Sequence, residues 1–464
     1  MNTQDKQYGN SMRFRLLKWL QPLMMMTVML GFWRHIYMPV YGLDISGFAH
    51  AMLALVYLFL LYELNKIYHA LTVGLIRVSE MVYSQALALL VCNMMAYLAG
   101  CLYCREFVSI LPLAAMALVQ FGICVLWSFF ANRMYFRNYA VPKTALFYQD
   151  DADLQRIYSV KYFNERFDVA VLIQDPGTDL SCHLSKLEGI QVVFSSGIDH
   201  GLQNQIALYC MKNGMRAYFT PTLEDVMLMG AEYMPIFSEP VMKIQRAQQN
   251  TGYLAAKRAM DIIVSLIGLV VVSPLMLVVA AAIKLHDGGP VFYKQKRLTL
   301  GGKVFSILKF RSMRTDAEKD GVARLASEND SRITPIGHLI RSTRIDELPQ
   351  LINILFGDMS LVGPRPERPE IAAEYEEYLP EFALRLQVRA GLTGMAQVYG
   401  RYNTDPNNKL KMDLIYINRL SFLTDFRLMF ATVKILFLKE STEGVREGQK
   451  TAAEGTNQPR KKTA

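Results

Sequence analysis

Cysteine is scarce in this chain and scattered where it occurs. Six of the 464 residues are cysteine (Cys92, Cys101, Cys104, Cys124, Cys182 and Cys210), and four of these lie in or beside apolar runs. Cys101-x-x-Cys104 has the spacing of a redox or metal pair, but it ends an apolar run and no second pair completes it, so packing is the better reading. A stripe of basic residues interleaved with aromatics is also missing, as is any nucleic-acid motif. The formal net charge of +9 and isoelectric point of about 9.1 therefore point to anionic small molecules or an anionic lipid surface, and not to nucleic acid. No small-residue cleavage site follows the first apolar run, so no cleavable signal peptide is expected.

What the long apolar runs lack is charge. The chain is 52% hydrophobic, and the excess is concentrated in four stretches, about 16–37, 46–65, 81–104 and 108–131. Each is long enough for a bilayer crossing, which takes roughly 20 apolar residues. Arg13, Arg15 and Lys18 precede the first run, Lys66 and Arg77 lie between the second and third, and Arg133, Arg137 and Lys143 follow the fourth. The other two loops carry only Arg105, with Arg34 near the outer end of the first run. The positive-inside rule then places the N-terminus, the middle loop and everything after residue 132 in the cytoplasm. Residues 1–140 read as a four-helix transmembrane region.

From 141 to 248 the pattern becomes that of a small parallel α/β domain: β-rich runs at 145–148, 169–173, 192–195 and 217–220 alternate with polar helical stretches, of which 199–213 is the clearest. The first strand leads into TALFYQDDADL, with no Gly-rich phosphate loop. Dinucleotide binding is not expected there, and a structural or regulatory role is.

The chemistry-bearing segment is 341–366, RSTRIDELPQLINILFGDMSLVGPRP. Asp346 and Glu347 sit just before Pro349, a residue tolerated at the first helical position. Leu351, Ile352, Ile354 and Leu355 continue that helix, and Gly357 is placed to stop it. A helix N-terminus attracts phosphate, and Arg341, Arg344 and Arg365 add guanidinium groups that match phosphate geometry. Adjacent helical side chains point about 100° apart, so the two acids cannot attack one atom together. A division of labour follows: one carboxylate as nucleophile, the other holding a cation such as Mg²⁺, which takes one or two carboxylates plus substrate phosphates.

One apolar run remains, 262–283. Its length would allow a fifth crossing. Lys257 and Arg258 flank one end and Lys284 the other, so both ends look cytoplasmic, and Ser273-Pro274 interrupts the run where Pro breaks the helix ladder. A crossing would also put the arginine-rich segment outside, away from nucleotides. The expectation is a bent re-entrant helix, about 258–284, that dips into one leaflet and returns. Residues 249–440 form a mainly helical monotopic domain around it. Within that domain 410–438 mixes aromatics with basic residues, which suits either the headgroup zone or an ordinary surface helix. The tail, 441–464, reads as disordered.

Residues 250–440 resemble the catalytic domain of bacterial polyprenyl-phosphate glycosylphosphotransferases, the monotopic sugar-1-phosphate transferases that start capsule, exopolysaccharide and O-antigen assembly. The matching pieces are Lys257-Arg258 with Asp261, Ser273-Pro274, Lys309-Phe310-Arg311-Ser312-Met313, Asp346-Glu347-Leu348-Pro349-Gln350, Gly357-Asp358-Met359-Ser360, Gly363-Pro364-Arg365-Pro366 and Gly391-Leu392-Thr393-Gly394. The four upstream runs and α/β domain resemble the large members of the family in architecture alone.

The resemblance implies a two-step reaction at the cytoplasmic face of the bacterial inner membrane. Asp346 attacks the sugar-bearing phosphorus of a UDP-sugar and releases UMP, and undecaprenyl phosphate then takes the sugar-1-phosphate. Glu347 carries Mg²⁺, Arg365 and Arg311 hold phosphate oxygens, and Lys309, Arg341 and Arg344 are further candidates. Ser273 and Pro274 make the membrane break, and the upstream module offers a homodimer contact. Three positions depart from the common pattern: Met395 where Trp often stands, Ala390 where Pro is usual and Thr299 where Gly is frequent. They bear on sugar-pocket shape. Glucose and galactose are the first donor sugars to try. The rival readings are a catalytically silent scaffold of a polysaccharide export system, against which the intact Asp346, Glu347 and Arg365 speak, and a glycosyltransferase that would release UDP.

Overall fold

In the computed structural model, residues 12–41, 46–158, 162–236, 239–246, 251–315, 317, 330, 332–400 and 405–436 are described. The tail expected to be disordered lies outside them. The chain divides into two compact units, Met1–Pro221 and Thr222–Ala464.

The four upstream apolar runs fold as helices. α1 (Met12–Phe32) continues through a π-helical turn, Trp33–Tyr37, into α2 (Met38–Tyr41). α3 (Gly47–Ile67) is capped by Ser46, whose Oγ accepts from the Ala49 N–H at 3.3 Å. α4 (Val78–Cys104) and α5 (Leu111–Asn138) follow; α5 runs past the expected end at 131 and takes Arg133 and Arg137 into its last turns. By length and composition these helices can cross a membrane. Leu55, Phe59, Leu102, Leu118 and Leu126 face outward. Inside, a polar chain joins four helices: Tyr57 donates to Asn93 Oδ1 (2.8 Å), Asn93 to Gln120 Oε1 (2.7 Å), and Gln120 to the Met25 carbonyl (3.2 Å). Without water, buried polar groups must find partners in the bundle, and these uncharged side chains supply them.

The same unit carries the parallel sheet. β1 (Lys143–Tyr148), β2 (Asp168–Gln174), β3 (Val192–Ser196) and β4 (Arg216–Phe219) lie in the order β2-β1-β3-β4, all parallel. α6 (Asp151–Tyr158) and α7 (Phe163–Arg166) link β1 to β2. α8 (His200–Lys212), capped by Asp199, links β3 to β4 and packs Leu202 and Ile206 on Phe147 and Val193. Open α/β sheets take ligands at the point where strand order reverses, here between the ends of β1 and β3. The chain's own Asp153 fills that place. Its buried carboxylate accepts from Ser196 Oγ at 3.0 Å, and a Cβ added to Gly197 would lie 1.9 Å from Oδ2.

The second unit opens with α9 (Leu223–Leu228), which seats Val226 in this unit's core, and a hairpin of β5 (Glu232–Ile236) and β6 (Glu239–Lys243). α10 (Thr251–Asp287) is one helix of 37 residues. Pro274 has no N–H to donate to the Val270 carbonyl, and the Ser273 hydroxyl donates to it instead, at 2.8 Å. The Ser-Pro pair thus breaks the ladder and satisfies the acceptor it frees. One side of α10 rests on this unit at both ends. Lys257 pairs with Asp425 at 2.8 Å, and Arg258 donates to the Ile354 and Leu355 carbonyls at 2.6 and 2.7 Å. Asp261 accepts from Leu361 N at 3.0 Å, while Val279 and Ile283 pack against Phe310 and Ile340. The other side, with Ile263, Leu266, Val270, Val271 and Val278, is exposed and apolar.

Beyond α10, β7 (Phe292–Leu298) and β8 (Val304–Phe310) form a hairpin that turns through Gly301 and Gly302, both at positive φ. α11 (Pro335–Ser342), a 3₁₀ turn (Ile345–Glu347) and α12 (Gln350–Phe356) come next. β9 (Ser360–Val362) and β10 (Gly391–Thr393) pair in parallel around α13 (Pro369–Tyr378) and a 3₁₀ stretch (Pro380–Gln387). α14 (Met395–Tyr399), α15 (Pro406–Asn418) and α16 (Phe422–Leu436) complete the unit. The 410–438 stretch is therefore two helices. α15 buries Leu410, Leu414 and Tyr416 in the core, whereas Phe422, Leu423 and Phe426 of α16 remain exposed.

Candidate active site

The two acids precede the helix instead of starting it. Pro349 is the N-cap of α12, the helix begins at Gln350, and Gly357 ends it at φ 93°. Asp346 and Glu347 lie on the separate 3₁₀ turn, which Arg344 introduces in the left-handed region at φ 55°. A left-handed non-glycine residue costs on the order of 1–2 kcal/mol, and here it aims the pair.

Adjacent in sequence, the two carboxylates differ in state. Glu347 is pinned: Oε1 accepts from Lys309 Nζ at 3.1 Å and Arg365 Nη2 at 2.9 Å, and Arg344 Nη1 stands 4.0 Å from Oε2. Burial alone would raise its pKa, but Lys309, Arg365 and Arg344 outweigh that and hold it far below the ordinary carboxylate range. Asp346 accepts no hydrogen bond among the described residues. Burial, reinforced by the negative charge of Glu347 and opposed by Lys309, Arg341 and Arg365, pushes its pKa up to about 6. Lys309 is itself lowered, first by burial.

Strand alternation explains who arrives. Lys309, near the end of β8, points to the acids, while Phe310 faces the opposite side and packs on Val279 and Ile283. Arg341, on the last turn of α11, acts on Asp346 through its charge. Arg311 does not join the group. The strand ends at Phe310, and the buried guanidinium of Arg311 turns instead to Asp287 at the end of α10, against Gly289. Arg311 ties the end of α10 to the hairpin.

The two glycine motifs place Arg365. A Cβ on Gly391 would come 2.1 Å from Gly363 N, and one on Gly394 2.1 Å from Gly363 O, so only glycine lets these segments approach. Gly363 N donates to the Thr393 carbonyl at 2.8 Å and Gly391 N to the Pro364 carbonyl at 2.9 Å. Thr299 and Ala390 belong to this scaffold: the Thr299 hydroxyl donates to the Asp358 carbonyl (2.8 Å) and accepts from Ala390 N (3.2 Å). Met395 packs on the core. Sequence reasoning missed Asn353, whose buried amide accepts from Leu308 N (2.9 Å) and donates to the Ser306 carbonyl (2.9 Å), strapping α12 to β8. A lone Asn in the apolar run LINIL was its signal.

Among the described residues, no cluster of three or more His, Cys, Asp or Glu is placed to hold a metal. The donor set nonetheless fits magnesium that arrives with a diphosphate. One or two carboxylates then suffice, and among the described residues the cation paired with Glu347 Oε2 is Arg344, at 4.0 Å.

Residues 252–439 match the bacterial sugar transferase family. An exopolysaccharide production protein, PSS, of Rhizobium leguminosarum bv. phaseoli is 46% identical over 189 residues, covering 39% of this chain and 94% of that protein. A UDP-glucose:undecaprenyl-phosphate glucose-1-phosphate transferase of Xanthomonas campestris pv. campestris is 33% identical over 311 residues, 63% of this chain and 62% of that one. A UDP-N-acetylgalactosamine-undecaprenyl-phosphate N-acetylgalactosaminephosphotransferase of Aeromonas hydrophila is 41% identical over 187 residues, 40% and 44% of the two chains. The chain spans 42% to 62% of the length of the large curated relatives it matches. With nearly the whole Rhizobium protein matched, and with Lys309, Arg344 and Arg365 gathered on Glu347 beside Asp346, the chain belongs to the bacterial polyprenyl-phosphate sugar-1-phosphate transferase family.

Proposed function

We propose that the protein transfers a sugar-1-phosphate from a UDP-sugar to undecaprenyl phosphate through a covalent intermediate on Asp346. The observation that carries this reading is the unequal state of the two acids: Glu347 is held by three cations, and its neighbour is half-buried, accepts no hydrogen bond among the described residues and has a raised pKa. In the first step an Asp346 oxygen bonds to the sugar-bearing phosphorus, the bridging P–O bond breaks, and UMP leaves with the electron pair. In the second, an oxygen of the lipid phosphate attacks the same phosphorus and the Asp346–phosphorus bond breaks. Lys309, Arg344 and Arg365 surround the pair and match the phosphate charge, with Arg341 beside Asp346. Glu347 would hold magnesium, which when bound neutralises diphosphate charge.

The membrane placement follows from the acceptor, whose phosphate stays at the bilayer surface. Lys257, Arg258 and Asp261 near one end of α10 and Asp287 at the other all bond to the same polar unit, which supports a re-entrant helix with both ends on one side. The positive-inside pattern makes that side cytoplasmic, and the membrane the bacterial inner membrane. Cysteines engineered near positions 255 and 288, with native cysteines replaced, are expected to label from the cytoplasm alone; labelling from opposite sides would sink the re-entrant reading.

Membranes incubated with undecaprenyl phosphate and labelled UDP-glucose, UDP-galactose and their N-acetylated counterparts test the function. Lipid-extractable label with one UMP per sugar is expected. UDP release would indicate a glycosyltransferase, and no transfer a scaffold. Because Asp346 must be ionised to attack, kcat/KM for the donor should fall about tenfold per pH unit below about pH 6 and level off above it. A flat profile across that value would contradict the assignment.

A further inference from the structure

Four consecutive carbonyls around the Arg365 turn are gripped from outside it. Gly391 N donates to the Pro364 carbonyl (2.9 Å), Arg385 Nη2 to that of Arg365 (2.9 Å), Arg297 Nη1 to that of Pro366 (3.0 Å), and Leu298 N to that of Glu367 (2.9 Å). The two guanidinium grips converge on one carboxylate, whose side chain is 11% exposed. Glu367 takes Lys409 at 2.8 Å, with Arg385 at 3.6 Å and Arg297 at 3.9 Å. Arg385 is further tied to Asp413 at 2.7 Å, both side chains being at most 3% exposed, and it lies over the Phe382 ring at 4.8 Å. Burial would raise the Glu367 pKa, but Lys409, Arg385 and Arg297 bring it down to about 2, so the hub stays charged at any working pH.

Buried ion networks of this kind are weak stabilisers, because desolvating the charges offsets much of their attraction. What this one does is geometric. A flexible arginine side chain needs a fixed root if its guanidinium is to meet a phosphate without reorganisation. The turn's own prolines fix φ at 364 and 366 but leave the peptide planes free to tilt. The outside donors fix those planes.

We infer that Arg385 is a positioning residue: held between Asp413 and Glu367, it clamps the Arg365 carbonyl and so sets the reach of the Arg365 side chain toward a donor phosphate. This rests on reading Arg365 as a phosphate ligand. Lysine keeps the charge but lacks the planar fork that serves Arg365, Asp413 and Glu367 together.

Pyrophosphate, with magnesium present, is titrated into the full chain in lipid nanodiscs, and thermal midpoints are measured on the same samples. R385K is expected to weaken pyrophosphate binding about tenfold. L414A removes an apolar core side chain of α15, which forms no hydrogen bond or ion pair with these groups, and is expected to lower the midpoint while leaving the affinity unchanged. E367Q keeps the shape of the hub and loosens its hold on both guanidinium groups; a smaller loss of affinity is expected. R385K and E367Q binding like the wild type, L414A weakening binding as much as R385K, or a wild type that binds no pyrophosphate would each overturn the inference. Pyrophosphate binding that depends on Arg385 in a protein that releases no UMP would leave it standing and defeat the transfer reading instead.

Discussion

Asp346→Asn is expected to abolish sugar-1-phosphate transfer, by about a thousandfold or more, while the protein stays folded. The size follows from the role: removing a covalent nucleophile removes the first step, and what remains is binding alone. The thermal midpoint at neutral pH should hold or rise slightly. The Asp346 pKa is raised, first by burial, so its ionised form opposes folding above the unfolded value of 3.8, and the neutral amide removes that opposition. Donor binding should survive, because Lys309, Arg344 and Arg365 are untouched. A variant that turns over at the wild-type rate would remove the covalent step, and one that unfolds would make Asp346 a structural residue.

Glu347→Gln is expected to cost about a hundred- to a thousandfold in turnover. The amide keeps the side chain's shape but leaves Lys309, Arg344 and Arg365 without their shared anion, and it offers magnesium a poorer oxygen. Two signatures separate this from a general loss of fold. Raised magnesium should recover part of the variant's activity and little of the wild type's. The acid limb of the pH profile should move to lower pH, because the Glu347 charge helps raise the Asp346 pKa and its loss frees Lys309 to lower it further. Stability shifts in the opposite sense. The depressed Glu347 pKa stabilises the wild type above the unfolded value of 4.5, and that contribution fades as pH falls toward the folded value, a dependence the glutamine variant lacks. Equal response of both proteins to magnesium would remove Glu347 as the metal residue.

Much of the site was legible because its elements are local. The acid pair, Gly357 after the apolar run and the Gly-Pro-Arg-Pro turn each carry their reason within a few residues, and the structure gathers Lys309, Arg344 and Arg365 on Glu347. The placement of Arg311 was not readable because a motif does not show where a strand stops; one residue beyond β8 its side chain leaves for Asp287. The clamps on the Arg365 turn were invisible for another reason. Arg385 and Arg297 lie 20 and 69 positions from the carbonyls they hold, and in the sequence each is simply one more surface-type charge. In the membrane bundle, hydropathy marked the helices, whereas the Tyr57–Asn93–Gln120 chain inside them depends on which faces meet. The parallel sheet was readable from its alternation of strands and helices, but not the Asp153 carboxylate that fills its crevice, because that contact needs β1 and β3 side by side.

The most direct measurement is the mass of the peptide carrying residue 346 after the protein meets a UDP-sugar without lipid acceptor. The covalent scheme requires that this peptide gain one sugar phosphate, that hydroxylamine strip it, and that added undecaprenyl phosphate discharge it into lipid. Steady product formation from a protein whose position 346 never gains mass would contradict the scheme.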